Sequence, residues 1–104
     1  MAKSSFQIRM NYHRAIQQAD SLLEVASELQ RNADSDFQDC ISQISGSWTG
    51  DSAAAYLRKC NLLRERIWLS AKQLRKTAEA IKQIAKKTYD AEMRALRIMQ
   101  QREY

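Results

Sequence analysis

Few residues in this chain have the type and spacing to do chemistry. His13 is the only histidine, and no carboxylate, serine or cysteine lies near it in a pattern that would make it a general base. Cys40 and Cys60 are the only cysteines. Two such residues do not make a disulfide framework. Two readings of them stay open: small buried hydrophobes on an apolar stripe, or a single disulfide across a hairpin, which needs Cα atoms within about 7 Å. Neither cysteine has further ligands at metal-binding spacing. There is no glycine-rich phosphate loop, no metal cluster and no nucleophile beside a base, so the expectation is a protein that is not an enzyme and takes no cofactor or metal. The remaining candidate is residues 45–52, Ser-Gly-Ser-Trp-Thr-Gly-Asp-Ser, which hold both glycines of the chain, Gly46 and Gly50, with Trp48 between them. A turn needs glycine for its backbone freedom; it does not need an indole. Trp48 and Gly50 therefore read as a recognition turn, offering a large contact area with few rotamers to freeze.

The elements that position this turn are helices. Proline is absent, so nothing outside 46–50 interrupts a helical pattern. The arrangement expected is one domain over residues 1–104: helix 5–45, turn 46–51, helix 52–98 and a short C-terminal tail. Ser4 with Gln7 fits a capping box at the first helix, and Asp51 or Ser52 fits the N-cap of the second. In the first arm, apolar residues recur at steps of three and four through Tyr12, Ala15, Ala19, Leu22, Ala26, Leu29, Ala33, Phe37, Cys40 and Ile44. The second arm repeats the pattern through Ala53, Tyr56, Cys60, Leu63, Ile67, Leu74, Ala78, Ile81 and Ala85. Alanines in the first stripe allow a second helix to approach closely. Helices of these lengths would span about 60 and 70 Å. Such a thin hairpin buries one narrow stripe and leaves the flanks Ile8, Ile16, Leu23, Leu62 and Leu69 in need of cover. The fold class expected is all-α, two long antiparallel helices that pair into a four-helix-bundle dimer.

Charge divides the two arms. Residues 1–47 carry four Lys/Arg against six Asp/Glu, and residues 51–104 carry thirteen against six, within a formal total of +5. Solvated helix faces and attraction between the arms are one reading of this asymmetry. An acidic protein partner meeting the basic arm at residues such as Lys72 and Lys76 is a second reading. A basic helical nucleic-acid-binding protein is the alternative function, but the second arm shows neither base-stacking aromatics nor a recognition motif in clear form, so no nucleic acid is expected. No apolar run approaches the roughly 18 residues of a membrane span, and no signal-peptide core stands near Met1. Neither stable membrane insertion nor a cleaved leader is expected.

Trp48-Thr49-Gly50 at the midpoint of two helical arms resembles the WXG (ESAT-six-like) family of type VII secretion substrates, and Ala55 and Tyr56 follow the tryptophan as a small residue and an aromatic do in that family. By architecture the resemblance covers the whole chain, by motif about nine residues. It implies a hairpin that dimerises head to tail and leaves the cytoplasm folded, driven by a secretion ATPase. Trp48 and Gly50, supported by Gly46, Ala55 and Tyr56, would then form one part of a composite export signal. The family's tail signal is a tyrosine with an acidic residue four positions later. Here Met93 stands in that place after Tyr89 and Cys60 after Tyr56. That departure implies a heterodimer whose partner supplies the tail: another helical hairpin, or the N-terminal helical domain of an LXG toxin that this chain accompanies.

Overall fold

The computed structural model describes residues 3–47 and 50–102, with Ser47 described by its backbone alone. The described residues form two α-helices and no strand, α1 over Ser5–Ser47 and α2 over Asp51–Arg102. The two helices pack against each other as a hairpin. Both capping groups of the expected box are in place: Gln7 N donates to Ser4 Oγ and Ser4 N donates to Gln7 Oε1, each at 3.2 Å. Two amides at the helix start, otherwise without intrahelical acceptors, are satisfied in this way.

The boundaries at the turn differ from expectation. Gly46 lies inside the last turn of α1, which continues to Ser47. The second helix is capped by neither Asp51 nor Ser52. Gly50 is its N-cap, since Gly50 O accepts the first bond, from Ala54 N at 3.2 Å. Asp51 follows in the first turn, where its carboxylate faces the positive end of the helix. Gly50 has φ +87°, a backbone region that costs an L-residue energy and that glycine enters freely. At the other end α2 runs to Arg102, past the expected stop at 98. Residues 34–39 remain helical without a break.

The chain divides into two compact units, Met1–Leu22 with Lys76–Tyr104, and Leu23–Arg75. In the first, Ile8, Ala19 and Ala78 are buried; in the second, Ala26, Ala33, Ile44, Ala53 and Ala71 are. Along α1 the buried positions are separated by 11, 7, 7 and 11 residues, and along α2 by 18 and 7. Each of these intervals returns a side chain to nearly the same side of a helix of about 3.6 residues per turn. Ile8, expected on an uncovered flank, belongs to this buried stripe. Four of the alanines, Ala19, Ala26, Ala71 and Ala78, have no exposed surface at all. No large side chain among the described residues is fully buried. Six of the eight buried residues are thus alanines, joined by Ile8 and Ile44, while other large apolar residues among the described ones are half-buried or exposed. Among the described residues, no helix is long and apolar enough to cross a membrane.

Candidate functional site

The turn supplies the first group of predicted site residues. Trp48 and Thr49 lie outside the described residues. Gly50 is exposed, as is Gly46, and a Cβ added at either would meet nothing within 4 Å. After the turn, Ala55 is half-buried and Tyr56 exposed.

The unit formed by Leu23–Arg75 carries the second group. Asp34, in the polar stretch of α1, draws two residues of α2 to itself: Arg64 Nε and Trp68 Nε1 both donate to Asp34 Oδ1, each at 2.9 Å. The Arg64 guanidinium lies between two rings, 5.0 Å from the centre of Phe37 and 5.6 Å from that of Trp68. Arg75 donates to Gln30. Arg64, Trp68 and Arg75, with Gln30, Leu69 and Lys72, line a groove of about 620 Å³. Its wall is a mixture of aromatic, aliphatic and cationic groups, the composition that anchors protein partners. On α1, Leu23, Glu24, Ser27, Glu28 and Arg31 line a smaller recess of about 410 Å³ with more acidic character.

The expected interface residues separate into two classes. Leu62 and Leu69 are exposed, at 54% and 61%; seven residues apart, they fall on one side of α2. Ile16 and Leu23 are only half exposed, being partly covered within the hairpin. Lys72 and Lys76 are exposed and make no ion pair among the described residues. Lys82 and Lys86, on the same basic arm, do have partners: Asp20 at 2.9 Å and Asp90 at 3.3 Å. Asp20 holds the Lys82 ammonium above its ordinary pKa, first by hydrogen bonding and then by charge, against desolvation. In the same unit the Tyr12 and Tyr89 rings meet at 5.0 Å and 40°, and Glu92 pairs with Lys3 at 3.2 Å. The acidic residues near Tyr89 are therefore engaged within this chain.

Periodicity marked Trp68 only as apolar and did not reveal Arg64. The signal available was Arg64 and Trp68 at a spacing of four, roughly as far beyond the turn as Asp34 lies before it. The Arg64 hydrogen bond holds the Asp34 carboxyl below its ordinary value of 3.8, with desolvation opposing and the Trp68 N–H and Arg64 charge assisting. A lowered carboxylate pKa means stabilisation that is fully present above the ordinary value and is lost as pH falls through the lowered one. The pair is solvent-screened, so the effect is small. Wild type is expected to melt slightly above Asp34→Asn at neutral pH, with the difference vanishing in acid. A difference that persists in strong acid would contradict the ion-pair account.

Cys40 and Cys60 are free thiols, half-buried rather than buried. They share a recess of about 90 Å³ with Ala33, Asp36, Phe37, Leu63, Arg64 and Ile67. The Cys40 thiol is pushed above its ordinary pKa, first by its hydrogen bond with Cys60, then by desolvation and by the charges of Cys60, Asp36 and Asp39. His13 is exposed, and no group of three His, Cys, Asp or Glu among the described residues could hold a metal ion. The chain matches no protein-family model, no curated protein and no solved structure at a significant level.

Proposed function

We propose that this chain is a non-enzymatic interaction module, one half of a four-helix assembly, and that it serves as a type VII secretion substrate or as the targeting partner of one. One observation carries the interaction reading. Eleven large apolar residues are exposed among the described ones, while no large side chain is fully buried. A hairpin whose buried residues, among those described, are alanines and two isoleucines leaves large apolar side chains in water, and a second pair of helices laid against it would cover them. Leu62, Leu69 and the groove beside Trp68 are the places to cover, and Lys72 and Lys76 favour an acidic partner. That partner is another helical hairpin or the N-terminal helical domain of a larger secreted protein such as an LXG toxin. A homodimer would cover the same surface.

The secretion reading rests on Trp48-Thr49-Gly50 standing between two helical arms, and the positive φ of Gly50 fits a turn whose shape depends on glycine. The module would reside in the cytoplasm until the secretion ATPase exports it. The test is expression of the full chain with its genomic neighbours in a host with an intact type VII system and in one lacking the ATPase. The chain is expected in the medium of the first only, with a cytoplasmic marker absent from both media. Equal release from the two strains would contradict the reading. Binding to random DNA that falls steeply with salt would instead support the nucleic-acid alternative.

A further inference from the structure

We propose that Cys40 and Cys60 are a redox pair that closes into a disulfide between α1 and α2, stapling the hairpin near its turn. The first support is register. Cross-helix partners in this unit have residue numbers adding to 98 for Asp34 and Arg64, 102 for Asp34 and Trp68, and 105 for Gln30 and Arg75. Cys40 and Cys60 add to 100, within that range, which puts them at the same level of the hairpin. The second is contact: both line one small recess, and each is half-buried, open enough for a reagent to reach. The third is the packing around them. Ala33, Ile44 and Ala53, which flank the pair along the two helices, are buried. Helices in contact lie about 8–10 Å apart, and Cα atoms sit about 2.3 Å off each axis. Directly facing Cα atoms are then about 3.4–5.4 Å apart, a range that overlaps the roughly 4.4–6.8 Å a disulfide requires.

The oxidant is a small disulfide such as oxidised glutathione. The thiolate of one cysteine attacks a glutathione sulfur; a protein–glutathione bond forms, and one glutathione thiolate leaves and takes up a proton. The second cysteine, as thiolate, then attacks the protein sulfur of that mixed disulfide, and the second glutathione leaves. Two protein thiols are oxidised to one disulfide, and one glutathione disulfide is reduced to two thiols. The product closes a loop from Cys40 to Cys60 that contains the turn, which restricts the unfolded chain more than the folded one. This chemistry depends on the thiols alone and stands whether or not the chain is secreted.

The test treats the full-length wild-type chain with oxidised glutathione and reads intact mass, free thiols and thermal melting. The expected product has lost two hydrogens, carries no glutathione, remains a single covalent chain, and melts roughly 10 °C or more higher. Dithiothreitol reverses each change. Cys40→Ser treated in the same way is expected to retain one glutathione on Cys60, because the resolving thiol is gone. The proposal is overturned if wild type keeps its thiols free, holds glutathione on both, links only between chains, or fails to melt higher when oxidised.

Discussion

Replacing Leu62 and Leu69 together by aspartate is expected to abolish association with a partner while leaving the helices of the single chain intact. Both side chains are more than half exposed, at 54% and 61%, so within the hairpin their removal forfeits little packing. In an assembly they would be buried, and each fully covered leucine contributes about 1.5–3 kcal/mol. An aspartate in the same place would lose its hydration without gaining a partner. Together these effects predict a loss of affinity of at least about a hundredfold. Lys72→Glu is a contrasting probe: its charge is exposed and unpaired among the described residues, so reversal should change the salt dependence and association rate more than the final affinity. Lys82 and Lys86 are poor probes, because their reversal would also break contacts to Asp20 and Asp90. Unchanged binding by the leucine double variant, measured by titration against the partner, would place the interface elsewhere.

Trp48→Ala is expected to stop export while helicity, melting and partner binding stay close to wild type, because under the proposed function the indole is a recognition group. Gly50→Val is expected to stop export as well, by a different route. No atom lies within 4 Å of an added Cβ at Gly50, so the substitution meets no clash. Its cost is conformational: a β-branched residue held at φ +87° stores about 1–3 kcal/mol of strain or else changes the turn. Gly50→Asn should be milder, because asparagine tolerates positive φ better than other side chains. Melting, complex formation and secreted fraction need to be read on the same variants. Secretion that falls only in proportion to lost complex would make Trp48 a structural residue.

The helices were legible because apolar steps of three and four ran without proline through both arms, and the Ser4–Gln7 box marked where the first one starts. The alanine stripe was legible for the same reason: Ala19, Ala26 and Ala33 recur at an interval of seven. Ile8 was misplaced because periodicity sets the direction of a stripe but not its width. The partners of Asp34, Lys82 and Lys86 were hidden because they depend on cross-helix register and on the reach of long side chains, neither of which the spacing within one helix determines. Gly50 lost its place as N-cap to Asp51 and Ser52 on residue preference alone; glycine also suits that position, and the bond from Ala54 N to Gly50 O decides the matter. Within the candidate site, Leu62 and Leu69 were legible as surplus hydrophobes, whereas the Arg64 stack between Phe37 and Trp68 required the two helices to be seen side by side.

The central claim is that a hairpin whose described residues bury no large side chain completely is completed by a second helix pair. Sedimentation equilibrium of the purified chain, with thermal melts over a hundredfold range of concentration reaching micromolar, tests this most directly. The account predicts a mass above that of one chain and a melting temperature that rises with concentration. A one-chain mass with a cooperative melt independent of concentration would contradict it.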